Sequence, residues 1–374
     1  MHIGVPKEIK NHEYRVGLIP QSVRELVRRG HRVFVEHDAG SAIGYSDASY
    51  LQAGAELLPV DEVFAQADLL IKVKEPQAEE CARLRPGQIL FTYLHLAPDR
   101  AQTEALLASN AICIAYETVT DAQGRLPLLA PMSEVAGRMA IQAGAGCLEK
   151  ARGGRGVLLG GVPGVPRGRV VILGGGVVGS NALAMAVGLG ADVTVLDKSA
   201  DALRRLDAQY GNRINTLYST GATLEEQLLS ADLVIGAVLV PGAAAPKLIS
   251  ADMIKRMQPG SVLVDVAIDQ GGCAETSTPT THADPTYVVD EVVHYCVANM
   301  PGGVARTSTQ ALNNATLPFV LALADKGVKR ALVDDEYLAQ GLNLSGGVLC
   351  NTEVAQALQL PAQSLSKVVA TLPD

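Results

Sequence analysis

The sequence predicts an α/β protein made of two parallel-sheet domains, with the second domain inserted into the first. Three observations lead to this class. Apolar runs of strand length alternate with segments of helical period along the chain, a pattern typical of parallel sheets covered by helices. One strand-to-helix junction carries a glycine-rich turn. The length of 374 residues is sufficient for two domains.

The first domain begins at the N-terminus and has no glycine fingerprint of its own. Its strand patterns lie at 32–37, 68–74, 88–95 and 111–117, and its helical patterns lie at 21–29, 60–66 and 99–109. The tail after residue 327 is too short for a domain, so we expect it to return to the first domain. The prediction is a discontinuous outer domain (1–128 and 306–374) around an inserted domain (129–305), with helical crossings at 132–151 and 308–326.

The inserted domain contains the glycine-rich turn. Gly174, Gly176 and Gly179 are spaced G-x-G-x-x-G after the apolar run 169–173, and Asp197 closes the next apolar run 18 residues beyond Gly179. In a Rossmann-like dinucleotide-binding unit, these glycines turn the chain, admit a pyrophosphate and let the helix pack on the strand. The alternative is a tight turn without a ligand. The remaining strands are expected at 192–197, 213–218, 232–238, 261–266 and 286–289, with a further candidate at 294–298.

Composition excludes several classes of function. The net charge of −8 offers no basic patch for nucleic acid, and no apolar run reaches the 18 or so residues of a membrane span. The N-terminus lacks the features of a signal peptide, and the six cysteines are scattered without C-x-x-C pairs. We therefore expect a cytoplasmic protein without a metal site. The hydrophobic content of 48% favours burial between subunits, and hence a homo-oligomer.

Three polar residues follow apolar runs and so fall at the edges of the predicted sheets. Lys74 and His95 end strand patterns of the first domain, and Asp269 follows the run 261–267 of the inserted domain. Ligands of open α/β sheets bind at the carboxyl ends of strands, so we expect these side chains to face one another across a cleft. Each also has an ordinary explanation: a solvated lysine, a structural histidine and a turn-forming aspartate. Arg15 taken alone would be a surface arginine.

Longer motifs carry a resemblance to a known family. The segment 4–20, GVPKEIKNHEYRVGLIP, resembles the N-terminal signature of L-alanine dehydrogenases and of the related transhydrogenase α subunits. The stretch 172–179 and its continuation at 190–193 resemble the second signature of these proteins. Further similar motifs lie at 162–165, 238–242, 265–272 and 295–301, and the similarity extends over about residues 1–330.

The resemblance implies a role for each matching residue. Arg15 would bind the substrate carboxylate and Lys74 the same carboxylate or the keto oxygen; His95 would be the general acid/base, with Asp269 as its electrostatic partner. The pocket for the alanine methyl group would be lined by Tyr93 and Met132. The dinucleotide contacts would be Ser133, Gly174, Gly176, Val177, Gly179, Asp197, Ser219, Val238, Leu239, Asn299 and Met300.

One position departs from the family pattern. Many relatives carry a lysine or arginine five residues after the ribose-binding acid, where this chain has Ala202. We expect Arg204 or Lys198 to substitute for it near the adenosine. The departure affects the adenosine contacts and not the residues assigned to the chemistry.

The activity implied by the resemblance is NAD-dependent oxidative deamination of L-alanine to pyruvate and ammonia, with the reverse reductive amination. Relatives are commonly hexamers. Asp197 would bind the ribose hydroxyls and repel a 2′-phosphate, which favours NAD over NADP. The alternatives are the soluble NAD-binding subunit of a proton-translocating transhydrogenase and a non-enzymatic NAD sensor. The first would need no amino-acid pocket and the second should lack a catalytic group, so the presence of Lys74, His95 and Asp269 argues against both.

Overall fold

The computed structural model describes residues 1–238 and 245–373. The chain divides into two compact units. The first unit combines Met1–Met132 with the part of the chain that begins at Ala305, and the second unit is Ser133–Val304. Strands and helices are numbered in chain order, and each unit is described by itself.

The first unit contains eight strands in one sheet. These are β1 (His2–Val5), β2 (Arg32–Glu36), β3 (Glu56–Leu58), β4 (Leu69–Ile71), β5 (Ile89–Thr92), β6 (Ile112–Ala115), β14 (Leu342–Ser345) and β15 (Val348–Leu349). Its helices are α1 (Pro20–Arg28), α2 (Asp47–Ala53), α3 (Val60–Gln66), α4 (Ala78–Cys81), α5 (Arg100–Ser109), α11 (Ala305–Lys326), α12 (Val328–Asp334), α13 (Glu336–Ala339), α14 (Thr352–Leu358) and α15 (Leu365–Thr371).

The strand order of this sheet defines where a ligand can bind. The order is β15-β14-β6-β5-β4-β1-β2-β3. The strands from β1 to β6 are parallel, whereas β14 runs antiparallel to β6 and forms a hairpin with β15. The parallel part has the doubly wound order 3-2-1-4-5-6, in which ligands bind at the carboxyl ends of the strands where the winding reverses. That point lies between β1 and β4.

Several elements of the first unit differ from the sequence-based expectation. The central strand β1 was not predicted, because Gly4 interrupts a short apolar run; a side chain there would meet Ala67 Cβ at 2.7 Å. Strands β4 and β5 are shorter than the patterns 68–74 and 88–95, so Lys74 and His95 do not end strands. Each lies three residues beyond the end of its strand, in the loop that follows.

Within residues 133–238 and 245–304, the second unit contains seven strands and five α-helices. The strands are β7 (Arg169–Leu173), β8 (Asp192–Asp197), β9 (Asn215–Tyr218), β10 (Leu233–Gly236), β11 (Val262–Asp265), β12 (Thr286–Val289) and β13 (Val292–Tyr295). The helices are α6 (Ala130–Cys147), which begins in the first unit, α7 (Val177–Gly188), α8 (Ala200–Tyr210), α9 (Gly221–Leu228) and α10 (Ala251–Lys255).

The second sheet repeats the doubly wound order. It runs β12-β13-β11-β10-β7-β8-β9, and all neighbours are parallel except β12 and β13. The turn between β12 and β13 holds Asp290 and Glu291, both with positive φ, which is the geometry of a type I′ hairpin. This hairpin places β13 at 292–295 and not at the expected 294–298. The α/β class with two largely parallel, Rossmann-like sheets is confirmed.

The cysteines serve as core residues. All six are buried free thiols, and burial raises the pKa of Cys81 to about 11 and that of Cys350 to about 12. A thiol with so high a pKa is a poor nucleophile. Over residues 1–238 and 245–373, the structure holds no group of three or more His, Cys, Asp or Glu side chains arranged to bind a metal ion. No helix in the same ranges is long and apolar enough to cross a membrane.

Candidate active site

Arg15 is a buried cation fixed by its neighbour Glu13. It lies in the irregular segment between β1 and α1 and is 2% exposed. Its Nε and Nη2 donate to the two carboxylate oxygens of Glu13 at 2.7 and 2.6 Å. Burial opposes the charged form, yet Glu13 holds the pKa of Arg15 above its ordinary value. The Nη1 donates to Met132 Sδ at 3.2 Å, so the structure brings two predicted substrate residues into contact.

Lys74 is held by its backbone and by one acidic neighbour. Its N–H donates to Glu8 Oε1 at 3.3 Å, and its carbonyl accepts from Thr92 Oγ1 at 3.0 Å. Its Nζ lies 3.8 Å from Glu75 Oε2, and Lys10 pairs with the same carboxylate. Burial opposes ionisation of Glu75, but Lys74 and Lys10 hold the pKa of this carboxyl below its ordinary value. The Lys74 ammonium therefore lies within ion-pair distance of Glu75 Oε2 but is not hydrogen-bonded to it.

A buried ion triad supports this loop and was not found from the sequence. Lys72 is fully buried, and its Nζ donates to Glu8 Oε2 at 3.0 Å and to Glu80 Oε1 at 2.6 Å. Burial raises the pKa of Glu8, whereas Glu8 and Glu80 outweigh the effect of burial and raise the pKa of Lys72. A charged residue inside the apolar run 68–74 was the available signal, because a buried lysine requires anionic partners.

Tyr93 and His95 form a stacked pair. Their ring centroids are 5.8 Å apart with an interplanar angle of 7°. The Tyr93 hydroxyl donates to Leu128 O at 2.6 Å, and burial raises the pKa of Tyr93 despite the nearby Arg15 charge. Tyr93 therefore stays a neutral donor. His95 is about half exposed and has a positive φ of 48°.

Glu117 contacts the His95 segment from the short turn that follows the neighbouring strand β6. Its carboxylate accepts from His95 N at 2.6 Å and from Leu94 N at 3.1 and 3.2 Å. Glu117 was not selected from the sequence, although it ends the strand pattern 111–117 as Lys74 and His95 end theirs. The first unit thus joins Arg15 to Met132 by a hydrogen bond and stacks His95 on Tyr93. Thr92, the last residue of β5, donates to Lys74 O.

The glycine turn in the second unit has two glycines that the fold itself requires. Gly174 has a φ of +100°, and a Cβ there would lie 2.8 Å from Ala237 O. A Cβ on Gly179 would lie 1.8 Å from Gly174 O, so α7 could not pack against the turn. The conformation and the close packing expected for a dinucleotide-binding turn are therefore present.

Gly176 is different, because none of the described residues demands a glycine there. It caps α7 with a φ of −73° and ψ of −158°, which any residue can adopt. A Cβ added to Gly176 would meet no heavy atom of residues 1–238 or 245–373 within 4 Å. Open space at the N-terminus of a helix, where backbone N–H groups are unsatisfied, is suited to a bound anion such as a pyrophosphate.

Asp197 is bound to the glycine turn. Its Oδ2 accepts from Gly175 N and its Oδ1 from Ser199 N, both at 2.6 Å. Arg205 reaches the same turn and donates to Gly175 O at 2.7 Å. Arg204, one of the two basic residues expected near the adenosine, instead pairs with Asp201 on the surface at 2.8 Å, and Lys198 is exposed. Arg205 is thus the basic side chain of α8 that contacts the turn.

Several of the predicted site residues lie at the ends of strands of the second sheet. Asp197 ends β8, and the residues that come after β7, β9, β10 and β11 include Gly174, Ser219, Val238 and Asp269. Because these strands are parallel, their carboxyl ends share one edge of the sheet. Val177 begins α7, Ser133 lies in α6, and Asn299 and Met300 lie just before α11, with Asn299 at a φ of +62°. The predicted contact Leu239 lies outside the described residues.

Asp269 is exposed, in a short 3-10 turn (Val266–Gln270) after β11. The loop is organised by the buried Asp265, whose Oδ2 accepts from Cys273 N at 2.8 Å and from Ser277 Oγ at 2.6 Å. A third bond joins Ala267 N to Asp265 Oδ1 at 3.2 Å. Asp265 was not selected from the sequence, because an aspartate at the end of a strand has no distinctive pattern. It fixes the backbone on both sides of Asp269.

Comparisons with known proteins cover almost the whole chain. Residues 4–136 match the family model described as alanine dehydrogenase/PNT, N-terminal domain, and residues 140–352 match alanine dehydrogenase/PNT, C-terminal domain. The alanine dehydrogenase of Halomonas elongata is 65% identical over 361 residues, which cover 96% of this chain and 97% of that protein.

Solved structures agree with these matches. An L-alanine dehydrogenase superimposes with a TM-score of 0.94 at 53% identity, covering 96% of this chain and 99% of that one. A transhydrogenase from Sinorhizobium meliloti superimposes with a TM-score of 0.83 at 24% identity, over 93% of this chain and 100% of that one. The second likeness shows a common fold alone. The chain belongs to the alanine dehydrogenase/PNT family.

Proposed function

We propose that the protein is an NAD-dependent L-alanine dehydrogenase, which oxidises L-alanine to pyruvate and ammonia and catalyses the reverse reductive amination. The observation that carries the proposal is the group Arg15, Lys74, Tyr93 and His95 at the carboxyl edge of the first sheet. A buried guanidinium, a paired ammonium and an accessible imidazole suit a small carboxylate substrate that exchanges protons. A transhydrogenase subunit, which passes hydride between dinucleotides, would need no such group. High identity to named alanine dehydrogenases supports the same choice.

Substrate binding is assigned to Arg15 and Lys74. Glu13 fixes one edge of the Arg15 guanidinium, which orients Nη1 toward Met132 Sδ. A thioether is a weak acceptor, and a substrate carboxylate is a stronger partner for a guanidinium N–H. The Lys74 ammonium provides a second donor for the carboxylate or the keto oxygen. Tyr93 and Met132 are both buried and supply apolar surface for the methyl group.

The second unit is proposed to bind NAD. The open space at Gly176, the helix N-terminus of α7 and the carboxylate of Asp197 fit a dinucleotide, with the pyrophosphate at Gly176 and the adenosine ribose at Asp197. The carboxylate would accept hydrogen bonds from the ribose hydroxyls and repel a 2′-phosphate. Ser133, Val177, Ser219, Val238, Leu239, Asn299 and Met300 are the remaining proposed contacts.

Catalysis requires one hydride transfer and several proton transfers. When bound, NAD supplies the acceptor for the hydrogen of the alanine Cα. Water then adds to the iminium carbon of the substrate while His95 accepts a proton from that water. His95 returns a proton to the departing nitrogen. The C–N bond then breaks while His95 accepts the hydroxyl proton of the tetrahedral intermediate, and pyruvate and ammonia are formed. An imidazole suits this exchange because its ordinary pKa is about 6.5. Asp269 is proposed as the electrostatic partner of His95, because its negative charge would stabilise the protonated imidazole.

The domain roles and the assembly follow the same reasoning. The outer part, 1–128 with 306–374, is proposed as the substrate domain, and 129–305 as the NAD domain. We further propose a cytoplasmic homo-oligomer, a hexamer as in relatives. Exposed apolar side chains at Leu158, Val162 and Val165 support association between copies. Light scattering gives the number of subunits.

The function is tested by NADH formation with L-alanine as the amino-acid substrate. Turnover with alanine and NAD alone supports the dehydrogenase. Activity that appears only with a second dinucleotide and a membrane partner would replace it with the transhydrogenase. Binding of NADH without turnover would indicate a sensor.

A further inference from the structure

We propose that Glu117 is a positioning residue that holds His95 in its working orientation, an inference that rests on the acid/base role proposed for His95. The backbone of His95 has a φ of +48°. A non-glycine residue is strained in this left-handed region, and such strain persists only where the surrounding structure enforces it. The conformation of His95 therefore requires a neighbouring group that holds it in place.

Glu117 contacts the strained turn through its backbone N–H groups. It lies in the short turn Tyr116–Thr118 after β6, the strand that pairs with β5. Its Oε1 accepts from His95 N at 2.6 Å and from Leu94 N at 3.1 Å, and its Oε2 lies 3.2 Å from Leu94 N. One carboxylate thus binds two consecutive N–H groups at the bend after β5. Hydrogen bonds to an ionised acceptor are about twice as strong as neutral ones.

The same carboxylate also faces the imidazole ring. Glu117 Oε1 lies 3.8 Å from His95 Nδ1, which is beyond hydrogen-bond length but within the range of an ion pair. The ring face is stacked on Tyr93, whose own hydroxyl is anchored to Leu128 O. A carboxylate at Nδ1 favours the proton on that nitrogen and leaves Nε2 to exchange protons with the substrate. Glu117 therefore acts on both the backbone and the tautomer of His95.

A purely structural role must be separated from this one. Glu117 could simply satisfy two backbone donors, with no consequence for catalysis beyond stability. The chain offers a matched control in Gln102, a buried side chain whose Nε2 donates to Leu94 O at 2.9 Å. Gln102 therefore binds the same turn at Leu94, and among the described residues its side chain makes no hydrogen bond to His95. Gln102→Leu removes a buried hydrogen bond to this turn without changing the group that faces the imidazole.

The experiment compares Glu117→Gln, Glu117→Asp and Gln102→Leu in the full-length enzyme. The measurements are kcat and KM for L-alanine, Kd for NADH and the melting temperature. Partners that orient a metal-bound histidine contribute about 10- to 100-fold to activity, and we expect Glu117→Gln to lower kcat by a factor in this range. The Kd for NADH should stay near that of the wild type. Gln102→Leu should lower the melting temperature by as much as Glu117→Gln does. Its kcat should nevertheless stay near the wild-type value.

A double variant tests whether Glu117 acts through His95. In a His95→Ala background, Glu117→Gln should lower kcat no further, because the group it positions is already absent. A crystal structure of Glu117→Gln should also show residue 95 displaced from its left-handed conformation. If the losses multiply in the double variant, or if Glu117→Gln lowers kcat no more than Gln102→Leu does, the proposal is overturned.

Failure of the proposed function would look different. In that case the wild type would form no NADH from alanine, or His95→Ala would leave turnover intact. A crystal structure of Glu117→Gln does not depend on enzyme activity. It would still show whether Glu117 holds His95 in its left-handed conformation. An unmoved His95 would overturn it. Should Glu117→Gln fail to fold, Glu117→Asp keeps the charge but is one methylene shorter, and it should show the same loss of kcat.

Discussion

Alanine substitutions at Gly176 and Gly179 distinguish a glycine needed for dinucleotide binding from a glycine needed for the stability of the fold. Both glycines belong to one turn, and both changes add the same single methyl group. At Gly176 the new Cβ meets no heavy atom within 4 Å in the part of the chain that the structure describes, whereas at Gly179 it would lie 1.8 Å from Gly174 O. The two variants are therefore a matched pair in which the chemical change is constant and only its surroundings differ.

The expected effects on stability follow from this geometry. In Gly176→Ala, the reduced freedom of the unfolded chain stabilises the protein by about 0.4–1 kcal/mol, and the poorer N-cap residue costs a similar amount. The free energy of unfolding should therefore change little. Gly179→Ala forces backbone atoms apart, and overpacking of this kind costs about 1–3 kcal/mol or more. We expect a clear fall in melting temperature for Gly179→Ala alone.

Gly176→Ala should weaken cofactor binding, although it leaves the stability of the fold almost unchanged. The proposed pyrophosphate approaches the N–H groups at the start of α7, and a charged hydrogen bond contributes about 1.5–3 kcal/mol. Loss of one such bond to the new methyl group raises the Kd for NADH by about 10- to 150-fold. Titration of NADH fluorescence and a melting curve on each variant are sufficient. A Gly176→Ala variant with wild-type stability and wild-type NADH affinity would refute the placement of the pyrophosphate.

Three further predictions concern other residues. Arg15→Lys loses the bidentate contact with Glu13 and should raise KM for pyruvate by about tenfold or more, while the Kd for NADH is unchanged. An equal loss of affinity for pyruvate and for NADH would indicate misfolding, which circular dichroism would reveal. Asp197→Ala should lower the NAD to NADP ratio of kcat/KM by about tenfold or more, and an unchanged ratio would mean that Asp197 does not contact the ribose. Tyr116→Phe should raise the free energy of unfolding by about 1 kcal/mol, because the buried Tyr116 hydroxyl has no hydrogen-bond partner among the described residues. A lower free energy of unfolding, measured by urea denaturation, would contradict this prediction.

The fold class was predictable because it depends on repeating patterns. Apolar runs buried on both faces, as in β10 and β11, are visible in sequence, and the glycine turn has a fixed spacing. The central strand β1 was not visible, because Gly4 looks like a break in an apolar run of four residues. Its place in the sheet depends on β2 and β4 on either side, which are distant in sequence.

The site was predictable only in part. Apolar periodicity placed Lys74 and His95 near the carboxyl edge of the first sheet, although it could not separate a strand from the loop that follows it. The residues that hold them, Glu8 and Glu117, are distant in sequence from the groups they bind. A single carboxylate has no periodic signal, and its partners become evident only when neighbouring strands pair. Arg205 was missed for the same reason, since its target at Gly175 lies 30 residues away.

The measurement that tests the central claim most directly is NADH formation from L-alanine and NAD by the wild type and by His95→Ala. The account predicts turnover by the wild type without any second dinucleotide, and a loss of about 10²- to 10⁴-fold in kcat for His95→Ala. NADH binding should persist in the variant, since the proposed dinucleotide contacts lie in the second unit. A wild type that shows no alanine-dependent NADH formation, or a His95→Ala variant that turns over at the wild-type rate, would contradict the account.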